Sequence, residues 1–176
     1  MKYKHNAYIG VGSNVGDRIS NCTRALGLIS SRKGIDLVKV SRWFETEALD
    51  ADGPSGADPF LNAAIHISTT MVAEDLMREL LGIEAALGRP YVRQKGEPRT
   101  IDLDLLLFDD LSLNLKGLTI PHPELTKRLF VLVPLCDIAP DVVHPSSGLT
   151  IRDLELRCRS DGIQAGISEW READAD

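Results

Sequence analysis

Asp102 and Asp104 stand two residues apart in the run Gly96-Glu97-Pro98-Arg99-Thr100-Ile101-Asp102-Leu103-Asp104-Leu105-Leu106-Leu107-Phe108. The alternation of apolar and acidic residues reads as a buried strand, on which successive side chains point to opposite faces. Ile101, Leu103, Leu105 and Leu107 are expected on one face, and Asp102, Asp104, Leu106 and Phe108 on the other. Two residues along a strand span about 6.6 Å, too far for one hydrogen bond between the carboxylates and suited to both holding metal ions. Desolvating an ionised carboxylate is costly unless it is paired, so something cationic is expected against this pair. Oxygen-only ligands from so few side chains suit Mg²⁺, which keeps waters and completes its shell with substrate phosphates. Arg99, just before the strand, supplies a planar fork matched to phosphate oxygens. The alternative is a structural salt-bridge layer, in which the two carboxylates pair with arginines. A lone D-x-D would favour that alternative.

The surrounding composition narrows the partner. The chain has 176 residues, 43% hydrophobic and 26% charged, which fits one soluble globular domain over residues 1–176. Its formal charge of −6 argues against nucleic acid as the main partner, since a phosphate backbone calls for a broad basic surface. Basic charge is instead local: Arg89, Arg93, Lys95 and Arg99 fall in one short segment opposed only by Glu97. That suits a small polyphosphate. Cys22, Cys136 and Cys158 are the three cysteines; they lack C-x-x-C spacing and read as small core hydrophobes in a reducing compartment. No signal-peptide core or bilayer-length apolar run is present, so a cytoplasmic protein without membrane attachment is expected.

The elements that must position these residues follow from periodicity. Residues 7–11 read as a strand, ended by Gly12-Ser13-Asn14. A helix follows, carrying Ile19, Cys22, Leu26 and Ile29, with Gly34 as its stop. Residues 37–45 read as a second strand with Val38, Val40 and Phe44 on one face. Residues 47–59 read as a mobile loop. In the third strand, residues 60–69, Ala63, Ile65 and Ile67 face one way and Ala64, His66 and Ser68 the other. Thr70 is expected to cap a helix over residues 72–87 with Val72, Leu76, Leu80, Ile83 and Leu87 as its apolar stripe, ended by Gly88. A second polar loop, residues 89–98, leads to the Asp-bearing strand. A short strand near 118–120, a helical region over 124–138 and a short helix capped by Thr150 complete the reading. The order β-α-β-β-α-β is the ferredoxin-like pattern, an α+β fold with an antiparallel sheet and flanking helices, expected on one face of the sheet.

Several of these stretches together resemble the 6-hydroxymethyl-7,8-dihydropterin pyrophosphokinase family. They are Tyr8-Ile9-Gly10-Val11-Gly12-Ser13-Asn14, Phe60-Leu61-Asn62-Ala63-Ala64, Gly88-Arg89, Pro98 to Leu106, and Pro121-His122-Pro123 with Arg128 and Phe130. The resemblance implies transfer of pyrophosphate from ATP to the hydroxymethyl group of 6-hydroxymethyl-7,8-dihydropterin, releasing AMP, a step of folate biosynthesis. By the same resemblance Asp102 and Asp104 would hold two Mg²⁺ ions, and Arg89 and Arg99 would stabilise the transferring group. Glu84, Leu105, Thr119, His122 and Arg128 would line the nucleotide site together with those arginines. Phe60 and Phe130 would stack on the pterin, Asn62 would meet its hydrogen-bonding edge, and Thr46, Ala48 and Leu49 would supply further ring contacts. A monomer is expected. The chain departs from the family's pattern at Leu81, Tyr91, Lys95-Gly96-Glu97 and Glu47-Ala48-Leu49. Two-metal nucleotidyl transferases and a non-catalytic pterin-binding module are the rival readings; retention of Asp102, Asp104, Arg89 and Arg99 together argues against the second.

Overall fold

The structure is a computed structural model and describes residues 3–47, 49–50, 53–54, 58–88, 99–161 and 166–171, with backbone alone at 49–50 and 53–54. Its elements run β1 (His5–Ser13), α1 (Arg18–Ser30), β2 (Ile35–Val40), β3 (Phe44–Thr46), β4 (Leu49–Asp50), β5 (Gly53–Pro54), β6 (Phe60–Thr69), α2 (Ala73–Ala86), β7 (Asp102–Phe108), β8 (Leu113–Leu115), β9 (Leu118–Ile120), a 3₁₀ turn (Leu125–Lys127), α3 (Leu129–Ile138), α4 (Ile151–Ser160) and β10 (Ile167–Glu169). The six-stranded antiparallel sheet has the order β10-β3-β6-β1-β7, with β2 also paired to β6. This is the expected βαββαβ core.

Alternation along β1 and β6 divides the sheet's side chains between two cores. Ala7, Ile9, Val11, Leu61, Ile65 and Ile67 point to one face with Leu103 and Leu105. There they meet Cys22, Ala25 and Ile29 of α1 and Leu76, Leu80 and Ile83 of α2. Leu76, Leu80 and Ile83 are fully buried, each stabilising the fold by about 1.5–3 kcal/mol relative to exposure. Tyr8, Ala64, Leu106 and Leu107 lie in the second core with Leu129, Leu132 and Leu135 of α3 and Ile151 and Leu154 of α4. Helices therefore cover both faces, where the βαββαβ order led to an expectation of one: α3 and α4, which follow the core motif, add the second layer.

Four further expectations need correction. On β7, Leu107 does not follow Leu105 to the first core. The register with β1 slips, because Ile9 faces Leu105 while Tyr8 faces Leu107. Leu106 is the extra residue of a β-bulge, which sends Leu107 to the second core and Phe108 to the first. The second strand is two strands. Ser41 breaks it, donating N–H to Ala64 O and accepting the Ala64 N–H on Oγ. Beyond that break Phe44 is buried, while Val38 and Val40 are exposed. Thr70 does not cap α2: Val72 holds the N-cap position, makes no side-chain cap bond and is exposed. Thr70 N–H goes instead to Gly34 O. Finally, the sequence reading did not contain β8, β10 or the short β4–β5 pair inside the 47–59 loop; β10 pairs with β3, Ile167 facing Thr46.

Two helix-end expectations hold. Gly88 lies at φ +89 just past α2, a left-handed position that suits glycine. Thr150 caps α4 in a reciprocal capping box with Asp153. Cys22 and Cys158 are buried and free, and Cys136 is half-buried and free. Among the described residues no helix is long and apolar enough to cross a membrane.

Candidate active site

β7 turns Asp102 and Asp104 away from the first core, as the alternation predicts, and its neighbour β1 presents no side chain beside either. Gly12 lies opposite Asp102 and Gly10 opposite Asp104. On the far side of β1, Asn62 of β6 faces Gly12 and Ala64 faces Gly10. Farther across, Phe44 of β3 faces Asn62. The sheet here offers a floor with carboxylates at one edge, glycines in the middle and a carboxamide beyond.

The acidic edge is ringed by cationic and polar groups. The Arg99 Nη1 donates to Asp102 Oδ2. Arg99 is itself fixed through its backbone: its N–H donates to Asn14 Oδ1 at 2.7 Å and its carbonyl accepts the Asn14 N–H at 3.0 Å. His122 is brought in by the segment after β9, where the Ile120–Pro121 peptide is cis and the His122 N–H donates to Leu106 O at 2.9 Å. Its Nδ1 accepts the Glu124 N–H at 3.2 Å. In the neutral ring the proton therefore belongs on Nε2, which lies 3.9 Å from Asp104 Oδ1. Burial pushes the Asp104 carboxyl above the usual carboxylate range and Asp102 adds to the rise, while His122, Arg128 and Arg99 oppose it. Two carboxylates that disfavour each other's charge in a cleft mark a place for an added cation. Their donors are all hard oxygens, and Mg²⁺ fits that set.

The other expected ring contacts lie at and beyond the far end of the floor. Asn62 is buried and its Nδ2 donates to Thr46 Oγ1 at 2.8 Å. That bond orients the amide, leaving Oδ1 on the Gly12 side, where a Cβ on residue 12 would stand 3.0 Å from it. Phe60, half-buried, opens β6 beside Thr46. Phe130, half-buried on the first turn of α3, lies against the second core with the Arg128 guanidinium 5.6 Å from its ring centre.

Three of the sequence-predicted nucleotide residues sit differently. Glu84 is 3% exposed on the α2 side of β7, and its Oε1 accepts the Leu103 N–H at 2.7 Å; it holds the Asp-bearing strand from behind. Leu105 is buried in the first core, so only its backbone borders the acidic face. Thr119 is exposed on β9, donating to Asn114 Oδ1 at 3.3 Å. Arg89, Arg93, Lys95 and Ala48, with the whole 89–98 loop and much of the 47–59 loop, lie outside the described residues, and so does the Leu49 side chain. Reasoning from residue types gave Gly10, Gly12 and Asn14 no role. Gly10-Val11-Gly12 in an otherwise apolar strand was the available signal, since glycine inside a strand marks a close approach.

Residues 8–140 match the family described as 7,8-dihydro-6-hydroxymethylpterin-pyrophosphokinase (HPPK). Over 150 residues the chain is 39% identical to the 2-amino-4-hydroxy-6-hydroxymethyldihydropteridine pyrophosphokinase of Synechocystis, covering 85% of this chain and 74% of that one. The protein of the same name from Methylorubrum extorquens is 38% identical over 158 residues, 90% of this chain and 96% of that one. The folic acid synthesis protein fol1 of Pneumocystis carinii is 42% identical over 145 residues, 82% of this chain and 19% of that longer one. Among solved structures, wild-type Plasmodium falciparum HPPK-DHPS with pteroate aligns with a TM-score of 0.74 at 13% identity, covering 96% of this chain. That likeness is one of fold, and this chain spans 48% of that one. With well over half of its 176 residues inside the family match, the chain belongs to the 7,8-dihydro-6-hydroxymethylpterin-pyrophosphokinase family.

Proposed function

We propose that this cleft carries out the family's reaction, transfer of pyrophosphate from ATP to 6-hydroxymethyl-7,8-dihydropterin, giving the pterin diphosphate and AMP in folate biosynthesis. The observation that carries the assignment of roles is the shared sheet face: Gly12 and Gly10 of β1 lie opposite Asp102 and Asp104 of β7, and Gly12 faces Asn62 of β6 on its other side. Ring and phosphate can lie side by side across that floor. In the transfer the hydroxymethyl oxygen bonds to the β-phosphorus, the bond to the α,β-bridging oxygen breaks, and the hydroxyl proton is released. Such chemistry asks a protein for positioning and charge neutralisation more than for covalent catalysis.

Asp102 and Asp104 would hold two Mg²⁺ ions, which when bound supply Lewis-acid neutralisation and a template for phosphate oxygens. Arg99 and, from its motif, Arg89 would grip the transferring group. His122, with its Nε2 proton facing the acidic edge, and Arg128 would contact phosphate oxygens. Phe60 and Phe130 would stack on the pterin faces, with Asn62 and Thr46 reading its edge and the backbone near Ala48 and Leu49 adding contacts. Thr119 and the Leu105 backbone would border the nucleotide, and Glu84 would serve by holding β7 in place. The chain would act as a single-domain monomer in the cytoplasm.

AMP release from ATP with Mg²⁺ tests the reading. Stoichiometric AMP is expected only when the hydroxymethyl-dihydropterin is present. AMP release that ignores the pterin, or release of ADP in its place, would refute it.

A further inference from the structure

Asn14 closes the Gly12-Ser13-Asn14 run at the end of β1 and is 5% exposed. Three of its polar groups reach two other chain segments. Its backbone N–H and its Oδ1 bracket Arg99, donating to Arg99 O at 3.0 Å and accepting Arg99 N–H at 2.7 Å. Its Nδ2 donates to Asp58 O at 3.5 Å. A few residues on, Arg18 strengthens the same corner: Nη1 donates to Pro59 O at 2.7 Å and Nη2 pairs with Glu45 of β3 at 2.7 Å. Arg99 leads into the acidic strand, and Asp58-Pro59 leads into Phe60 and Asn62.

We propose that Asn14 is a positioning residue that sets the distance between Arg99 at the phosphate end of the cleft and Phe60 at the ring end. This rests on the pyrophosphokinase reading. Phe60 is the first residue of β6 and Arg99 lies three residues before β7, on opposite sides of β1. Their spacing must be fixed from a third element. β1 is that element, lying between β6 and β7 along its length, and Asn14 is the side chain that bonds to both flanks. Its Oδ1 can accept and its Nδ2 can donate at once, which neither serine nor an ionised aspartate does in that geometry. A displacement of reacting groups by about 1 Å costs up to about a hundredfold in rate, so a single amide here has leverage on turnover.

The test is steady-state kinetics of purified Asn14→Ala and Asn14→Asp, with circular dichroism and melting to establish the folded fraction. Asn14→Ala is expected to lower kcat by about tenfold or more and to raise the pterin KM several-fold. Asn14→Asp keeps an acceptor for the Arg99 N–H and loses the donor to Asp58 O, so it should recover most of kcat while the pterin KM stays raised. An asparagine that merely supports the fold would lower the melting temperature and leave the constants of the folded enzyme unchanged. The proposal is overturned if Asn14→Ala keeps both constants within about twofold of the parent, or if Asn14→Asp is no more active at saturation than Asn14→Ala. Arg99→Ala measured alongside separates two failures. If it keeps full kcat, the phosphate role of Arg99 falls; if it is inactive while Asn14→Ala is unaffected, only the positioning role falls.

Discussion

Gly12→Ala adds one methyl group to the centre of the floor, and the structure sets what that methyl meets. Residue 12 lies in regular strand, paired with both Asn62 and Asp102, so alanine suits the backbone there. The new Cβ would lie 3.0 Å from Asn62 Oδ1, with Leu61 O next at 3.9 Å. Ordinary contact begins near 3.4 Å, so the amide oxygen must retreat by about 0.4 Å or the carboxamide must turn. The carboxamide is tethered on its other side by the 2.8 Å bond to Thr46 Oγ1, and either response lengthens or breaks that bond. Losing one neutral hydrogen bond costs about 1 kcal/mol, or roughly a fivefold loss of pterin affinity. Binding of an ATP analogue should be unchanged, because none of the atoms within 4 Å of that Cβ belongs to Asp102 or Arg99. Gly10→Ala is the control: its methyl meets Leu106 at 3.6 Å and Asp104 Cβ at 3.8 Å, ordinary contacts that leave Asn62 undisturbed. Calorimetric titration of each ligand into both variants decides it. Unchanged pterin affinity in Gly12→Ala, or equal weakening of pterin and nucleotide, would refute the argument that this glycine exists to seat the Asn62 carboxamide.

Asp102→Asn and Asp104→Asn should each stay folded and lose about a hundredfold or more in kcat, since one preorganised charge contact is worth roughly 3–4 kcal/mol of barrier; near-normal turnover at saturating Mg²⁺ would remove the metal assignment. Glu84→Leu leaves the buried Leu103 N–H without its 2.7 Å acceptor and should destabilise the fold by about 1–3 kcal/mol, read by urea unfolding, whereas Glu84→Gln keeps an acceptor and should be milder. Hydrogen bonds from Arg42 hold the Asp137 carboxyl below the usual carboxylate range. A depressed native pKa means stability that is full above the unfolded value of about 3.9 and is lost as pH falls through the native one. The melting-temperature deficit of Asp137→Asn should therefore be largest near neutral pH and shrink below about pH 4; a deficit independent of pH would show the ion pair to be irrelevant.

Much of this site was legible because its chemistry is written in residue types at fixed spacing. Asp102-x-Asp104 needed only strand alternation to put both carboxylates on one face, and below the bulge alternation holds. It failed at Leu105-Leu106-Leu107-Phe108, where every residue is apolar and a one-residue bulge leaves no trace in a pattern of period two. The break at Ser41 was hidden for a related reason. The residues around it favour strand, and the evidence for interruption is a tertiary bond from Ser41 Oγ to the Ala64 amide. Val72 followed the helical period on paper, but as the N-cap residue it projects to solvent. β10 needs β3 to exist at all; Ile167-Ser168-Glu169 is too short to announce a strand without its partner. Asn14 was visible as the end of a strand, while its reach to Arg99 and Asp58 spans 85 and 44 residues of sequence.

The bulge at Leu106 also explains why the cleft lies where it does. On the first face of the sheet, α1 and α2 meet apolar side chains from Ala7 through Val11 and from Leu61 through Ile67. On the second face the apolar residues run only from Tyr8 and Ala64 to Leu106 and Leu107, and there α3 and α4 pack. Toward the other end of the same strands the second face carries Gly10, Gly12, Asn62, Asp102 and Asp104, which offer a helix almost no apolar area to bury. The apolar packing of α3 and α4 therefore ends where the side chains change character, and the polar face lies beyond that boundary. β7 has to serve both regimes within seven residues. At its start it needs acidic and apolar residues in alternation; at its end it needs apolar residues on both faces. A bulge lets Leu106 and Leu107 both enter the second core while Phe108 returns to the first. Asp104 then sits at the last position on that face before the second-core residues, with Asp102 two residues earlier. The His122 amide bond to Leu106 O ties the P-H-P segment to that same junction.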